Sequence, residues 1–356
     1  MADIPAENQG AACRWPAYAV RVKQRRKRHH YLPESYLKAW ADERGQVAVR
    51  RRDQPDAFCT TTRNVAVEAD LYALPTDAGL DDALEVALSE IEGLLPGYLA
   101  GLRDGPTPRK GSQAREDISD LLALQIVRTR EHVGQWMFPL DAAEYTGERP
   151  ISHEGMRRFL TEEYLGEAPS EQEIQGAFDF ANYMLSKGMP EKREILSMLL
   201  RVASEQLAPR LAKMAWAVEI SRDCAFVLTD RPIVMWKRKT QELTMTGTGL
   251  ETSDEVRFPL GPHHLLVLRP RFPEHRTHVG PSRVADVNRH LAAGCYEMVI
   301  ARPSGRAELA QLSLRRVRPA LRFKTGPLLE PDATGRLVPT GQEILHTFVP
   351  YGDDVG

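Results

Sequence analysis

The sequence predicts an α+β fold, with a central helical bundle packed beside a mixed or antiparallel sheet built from N-terminal and C-terminal strands. Three observations predict it. Gln46 to Arg51 sets Val47 and Val49 against Ala48 and Arg50, the period-two pattern of a half-buried strand. From Leu80 to Met214 apolar residues recur mainly at three- and four-residue spacing, the stripe of a helix that buries one face. After Ala215 short apolar runs bounded by turns return. The N-terminal strands are too few and short to stand alone, because a two-stranded unit is marginal in water. They are therefore expected to join the C-terminal strands in one sheet.

In order along the chain, residues 1–20 read as a loose arm, polar and small up to about Pro16. Residues 21–78 carry a motif-rich segment and the first strands. Glu34 to Trp40 forms a short helix that sets Tyr36, Leu37 and Trp40 on one face and ends by Gly45, and a second short strand follows around Phe58 to Thr62. Residues 79–215 form the helical subdomain. Leu84, Ala87, Leu88, Ile91, Leu94 and Leu95 mark a helix from Leu80 to Leu102, and a Gly/Pro/Lys turn from Arg103 to Gly111 separates it from the next, Asp117 to Arg130. Two more helices are expected over Ser170 to Lys187 and Glu191 to Met214, with a polar, less periodic stretch from Ala142 to Glu167 between them and the second helix.

Residues 216–303 complete the sheet. Strands are expected at Trp216–Ile220, Ala225–Leu228, Ile233–Trp236, Val256–Pro259, Leu265–Leu268 and Glu297–Ala301, with a helix through Val284, Val287, Leu291 and Ala292. Residues 304–356 form an extension, rich in Gly and Pro, with one or two strands and the basic run Arg315, Arg316 and Arg318.

Composition narrows the classes. A chain of 356 residues with 42% hydrophobic content is expected to hold two packed subdomains. No stretch approaches the ~20 consecutive apolar residues of a membrane span, and Met1 to Gly10 lacks the apolar centre of a signal peptide, so no membrane partner and a cytoplasmic location are expected. Cys13, Cys59, Cys224 and Cys295 show no CxxC spacing and read as buried free thiols. The net charge of −2 is too balanced for a general nucleic-acid coat.

Against that balance, charge is concentrated near the start. Six of the ten residues from Arg21 to His30 are Lys or Arg, directly before His29, His30, Tyr31, Leu32 and Pro33. A local anionic partner, nucleic acid or another phosphate-bearing ligand, is expected there, although a solvated arm is the ordinary reading of such a run. His29-His30-Tyr31-Leu32-Pro33 with Tyr36-Leu37 and Trp40 resembles the opening motif of a bacterial family, the domain of unknown function numbered 4238. The resemblance continues through Val65 to Tyr72, Leu84-Glu85, Ile91-Glu92, Gln125 with Arg128-Thr129, Phe226 to Pro232, Phe258-Pro259-Leu260 and Val287-Asn288, and spans roughly Lys27 to Arg302. One departure is visible. Where that family commonly reads Thr-Ser-Asp-x-Pro, this chain has Leu228-Thr229-Asp230-Arg231-Pro232, so no role of the Ser hydroxyl carries over. The resemblance implies a bacterial or phage-derived intracellular protein and transfers no chemistry.

The residues themselves suggest candidates. His30 is of the type that serves as acid, base or metal ligand near neutral pH, and Asp230 follows a strand where a carboxylate is readily presented. These two are the expected catalytic pair, with Arg28, His29, Tyr31, Arg128 and Asn288 as substrate contacts and Glu68 completing a polar pocket. Each has a structural reading beside the functional one: a hydrogen-bonded imidazole, a wedged phenol, an Asx turn at Arg231-Pro232, an ion-paired Arg128. His263-His264 beside Pro262 reads as an exposed turn that could lend two metal ligands. There is no HExxH, no paired acidic cluster and no Gly-x-Ser-x-Gly elbow, and Gly247 and Gly249 lack the strand-helix setting of a dinucleotide loop. Three functions stay open: a nuclease or other phosphoester hydrolase, with a possible divalent metal and a role in defence against foreign nucleic acid; a non-catalytic nucleic-acid or nucleotide binding module; and a structural interaction protein.

Overall fold

The computed structural model describes residues 28–76, 79–81, 83–165, 167–237, 249–250, 252–314, 320–331 and 337–348. The arm, Arg25 to Lys27, Gly247, Arg315 to Arg318 and Cys13 lie outside them. The α+β class holds, and the strands divide between two main sheets rather than one.

In chain order the N-terminal part holds β1 (Arg28–His30), α1 (Glu34–Leu37), β2 (Gln46–Arg51), β3 (Phe58–Thr61), β4 (Val67–Ala69), β5 (Leu74–Thr76) and β6 (Gly79–Asp81). The helical part holds α2 (Ala83–Glu92), α3 (Leu95–Asp104), α4 (Gln113–Val127), α5 (Arg130–Thr146), α6 (His153–Arg158), α7 (Glu171–Ser186), α8 (Lys192–Arg201) and α9 (Ala208–Lys213). Then follow β7 (Ala215–Ile220), β8 (Leu228–Thr229), β9 (Val234–Trp236), β10 (Glu255–Gly261), β11 (His264–Arg269), β12 (His275–His278), α10 (Pro281–Gly294), β13 (Met298–Ala301), α11 (Arg306–Gln311), β14 (Arg322–Pro331) and β15 (Leu337–Phe348).

One sheet runs β3-β2-β13-β8 and unites N-terminal with C-terminal strands, as expected. The other runs β12-β7-β11-β10-β9 and is wholly C-terminal, antiparallel except for the β12–β7 pair. Its central strands explain the separation. Every residue of β10 and the middle of β11 are buried, so they are covered on both faces and carry their own core. β1 joins neither sheet but pairs antiparallel with β4, setting His29 opposite Glu68.

The stretch from Leu80 to Leu102 is two helices instead of one. The amide of Gly93 closes α2 on Ser89 and Glu90, and Pro96, which has no N–H to satisfy, sits in the first turn of α3. The polar stretch after Ala142 is more helical than its periodicity suggests: α5 continues to Thr146 and stops at left-handed Gly147 (φ 70°). Ala225–Leu228 is mostly irregular, pairing only at Leu228–Thr229. The thiols also differ from expectation, since Cys295 is buried but Cys224 is half-buried and Cys59 exposed on β3, where side chains of a sheet-edge strand alternate outward.

Tyr36, Leu37 and Trp40 are the apolar bridge between the N-terminal segment and the five-stranded sheet. Tyr36 stacks on Phe258 with centroids 5.2 Å apart and its hydroxyl donates to Pro259 O, while Trp40 Nε1 donates to Phe226 O at 3.0 Å. Burial of each such side chain contributes about 1.5–3 kcal/mol. A second core, around Phe138, Phe159, Ile174 and Phe323, seats the β14–β15 hairpin on α7. Gly176 permits that seating, because a Cβ there would stand 2.8 Å from Phe323 Cβ and 2.9 Å from Leu345 Cδ1. Gly176→Ala is therefore expected to destabilise by about 1–3 kcal/mol in chemical denaturation, reversing the gain that alanine normally brings to a helix interior. An unchanged or raised stability would mean that the hairpin does not press on α7.

Candidate functional site

A cleft of about 430 Å³ opens where β4, α5, the start of α8 and the turn Phe159–Tyr164 meet. α5 supplies one helical stripe to it: Arg130, Val133, Gly134, Met137, Asp141, Glu144 and Tyr145, at the three- and four-residue spacing of a single face. Glu68 to Leu71, Phe159, Glu163, Tyr164, Lys192 and Tyr296 complete the lining. Five of these residues are acidic and two basic, within aromatic and apolar walls.

The β4 wall is bracketed by backbone in the left-handed region at two non-glycine residues, Ala66 (φ 52°) and Asp70 (φ 54°). Such residues cost about 1–2 kcal/mol and persist where surrounding contacts fix them. Here the fixing contacts are visible. Ala66 O accepts the Tyr31 amide at 3.1 Å, and Asp70 O accepts Ala73 N at 3.1 Å and Lys192 Nζ at 3.3 Å.

Charge pairing sets the floor. Arg130 Nε stands 2.7 Å from Glu68, its Nη1 pairs with Glu297, and its guanidinium lies over the Tyr296 ring at 5.6 Å. Burial favours the neutral form of Arg130, but Glu68 and Glu297 outweigh it and hold the group charged. Burial raises the Glu68 carboxyl above its ordinary value against the pull of Arg130. Asp141 is pushed up to about 7, first by burial and then by Glu144. Lys192 is drawn below its ordinary value by burial, with Asp141, Glu68, Asp70 and Glu144 opposing. A carboxyl titrating near neutrality beside an amine shifted toward neutrality is an arrangement that can give and take protons at pH 7.

None of the seven residues expected at the site lines this cleft, although Glu68 does. Most serve as its framework. His29 is fully buried, accepts the Tyr72 amide at Nδ1 (2.9 Å) and stacks on the Tyr72 ring. Tyr31 is buried, and its carbonyl accepts Gln125 Nε2 at 3.0 Å. Arg128 is enclosed between Glu92, the Tyr72 ring and the His30 carbonyl, which ties α2 and α4 to β1. Asn288 clamps the strand approach through Val227 N and Ala225 O.

Asp230 is fully buried and accepts three successive amides: Tyr296 (2.9 Å), Glu297 (2.5 Å) and Met298 (3.2 Å). It thereby fixes the backbone that presents Tyr296 and Glu297 to Arg130. Its neighbour Arg231 pairs with Glu131 of α5 at 2.7 Å, and Thr229 Oγ1 closes the turn on Arg231 O. The Thr229-Asp230-Arg231 sequence thus acts at one remove from the cleft.

His30 and Arg28 lie in a separate surface group. Arg28 is exposed and donates to Arg63 O and Asn64 Oδ1, both at 3.1 Å. His30 is half-buried with no hydrogen-bond partner at Nδ1; burial lowers its pKa below the ordinary histidine value, opposed by Glu34 and the Val65 backbone and aided by Arg128 and Arg28. The expected pairing of His30 with Asp230 is not among the hydrogen bonds and ion pairs that either residue makes: Asp230 is occupied by backbone amides, and His30 meets Val65, Glu34 and arginines. His263 is exposed and His264 half-buried in β11. Among the described residues no group of three His, Cys, Asp or Glu side chains is arranged to hold a metal ion, and no helix is long and apolar enough to cross a membrane.

Asp141, Lys192 and Arg130 are the cleft side chains that sequence reasoning misses. For Arg130 and Asp141 the signal is present in the α5 stripe, where ionisable residues at both ends enclose apolar ones, but a charge on an amphipathic helix ordinarily marks a solvated face; Lys192, at the start of α8, carries no such signal.

Fold and cleft together define an α+β protein with an ionisable, aromatic-walled pocket between its helical part and β4. The chain belongs to the family described as "Protein of unknown function (DUF4238)", whose model matches residues 28–305. That span includes every residue of the cleft and ends before the β14–β15 hairpin. No curated protein and no solved structure matches the chain.

Proposed function

We propose that this protein is an acid–base enzyme, a hydrolase of small polar molecules, working in the α5–β4 cleft. The observation that supports this most directly is Asp141, a carboxyl held near neutrality on the wall of a pocket large enough for a nucleotide-sized ligand and too small for a duplex. Asp141 gives and takes the proton. Glu68, paired with Arg130 at 2.7 Å, is the second carboxylate; burial raises both groups, and Arg130 pulls against that rise at Glu68.

The phosphoester version of this reading meets an electrostatic cost. Arg130 is already paired with Glu68 and Glu297, and carboxylates outnumber cations around the cleft, so a bare phosphate gains little there. A nucleic-acid binding role, with or without a part in defence, is the second reading. It is favoured by the exposed Arg28 and by Arg63, whose side chain is 83% exposed, on the segment that follows the basic run.

The test is a hydrolysis panel of mixed RNA and DNA, p-nitrophenyl phosphate, aryl esters and aryl glycosides, with and without added Mg²⁺ or Mn²⁺. Asp141→Asn is expected to slow the hydrolysed substrate by about 100-fold or more, with His30→Ala near wild type. Activity lost in His30→Ala but kept in Asp141→Asn would move the chemistry to the β1 surface. Salt-sensitive oligonucleotide binding without hydrolysis would favour the binding module.

A further inference from the structure

We propose that Lys192 is a carbonyl-reactive nucleophile, forming a reversible iminium with a small aldehyde or ketone that carries an apolar body. The inference rests on the same reading of Asp141 as the proton carrier of the cleft. Lys192 is the lysine among the cleft's lining residues. Its Nζ is oriented by the bond to Asp70 O at 3.3 Å, which ties the amine to the left-handed turn that ends β4. Asp141 and Glu68 both act on it electrostatically, and Val133, Met137 and Phe159 line the same pocket with apolar surface.

Burial increases the neutral fraction of this amine relative to a surface lysine, and only the neutral amine has a free electron pair. The step balances with the groups present. The Lys192 nitrogen pair forms a bond to the carbonyl carbon while the C=O π pair moves to oxygen, which takes the proton of Asp141. The ionised Asp141 then removes a proton from nitrogen, returns it to the hydroxyl, and water leaves as C=N forms. Amine, proton and carbonyl compound become iminium and water, with no oxidant or reductant required.

Reductive trapping tests this on the full chain. Benzaldehyde with sodium cyanoborohydride at pH 7.5 is followed by peptide mapping, which reads the secondary amine at each lysine. Lys192 is expected to be labelled about tenfold faster than the exposed Lys38, Lys110, Lys187 and Lys213. Lys192→Arg, which keeps the charge, should abolish that one product, and Asp141→Asn should slow it about tenfold while leaving the others unchanged. Labelling at Lys192 no faster than at Lys38, in a protein whose thermal transition is normal, would overturn the inference. If Asp141-dependent hydrolysis persisted in that case, the acid–base reading would stand and only the role of Lys192 would fall. Rapid trapping that is indifferent to Asp141→Asn would overturn the proton-carrier assignment instead.

Discussion

Asp230→Ala is expected to cost about 3–5 kcal/mol of stability, the largest single loss foreseen for a polar residue of this chain. The carboxylate is enclosed at the join between β8 and β13, and the amides of Tyr296, Glu297 and Met298 all donate to it. Truncation leaves these three N–H groups without their acceptor, and each unmet buried donor costs about 1–3 kcal/mol before relaxation. Burial raises the Asp230 carboxyl to about 7 although the three N–H bonds pull it down, so the contacts that orient the backbone offset only part of the cost of enclosing the charge. Asp230→Asn keeps one carbonyl acceptor but turns its NH₂ toward backbone donors, and an intermediate loss is expected. Urea unfolding of the three proteins decides the matter. A loss below about 1 kcal/mol for the alanine variant would mean that the clamp is replaceable by water.

Asp141→Asn is expected to act in the opposite sense and stabilise the protein at pH 8, by about 2–4 kcal/mol relative to wild type. The ordinary carboxyl value is 3.8 and the folded protein holds Asp141 at about 7. A carboxyl raised on folding binds its proton more tightly in the native state, so its favourable contribution is full below about pH 4. It is lost progressively as pH rises through about 7, above which folding carries the cost of a buried charge. Each tenfold change in proton affinity corresponds to about 1.4 kcal/mol, and partial solvent access reduces the sum here. Asparagine does not titrate, so its unfolding free energy should fall less between about pH 4 and 7 than that of wild type, while Asp230 and Glu68, which burial also raises, keep their own share of the decline. Wild-type and Asp141→Asn curves that run parallel over that window would remove Asp141 as a raised-pKa group and, with it, the argument for acid–base chemistry. A variant that is more stable but less active is the signature of a residue kept for function at the expense of stability.

The sequence carries much of the framework because framework signals are local. The extent of β2, the helical stretch at α7 and the turn residues before β8 each follow from a preference that a short window contains, although Ala48 is buried with Val47 and Val49, so β2 is covered on both faces rather than half-buried. Capping is equally local: Ser170 and Glu173 close a capping box at the start of α7, and Thr129 caps α5. The boundary within Leu80–Leu102 escapes such a window because Leu88, Leu95, Leu99 and Leu102 enter one core at helix-like spacing, while Leu94, which the stripe includes, is 59% exposed.

The candidate residues are polar groups with definite partners, yet the sequence does not say which face each of them meets. His29 and His30 are adjacent, and extended backbone sends them to opposite sides; one stacks on Tyr72 inside the protein and the other reaches the surface group around Glu34. By itself the sequence determined the α+β class, most helices and strands, the family and the concentration of positive charge ahead of His29. Tertiary structure alone decided that the larger sheets are two rather than one, that Asp230 and Arg128 are consumed by backbone and ion pairing, and that Glu68, Arg130, Asp141 and Lys192 share one pocket. The reason is physical: secondary structure follows from interactions a few residues apart, whereas a carboxyl's proton affinity depends on burial and on charges brought from distant parts of the chain, here from positions 68, 144 and 192.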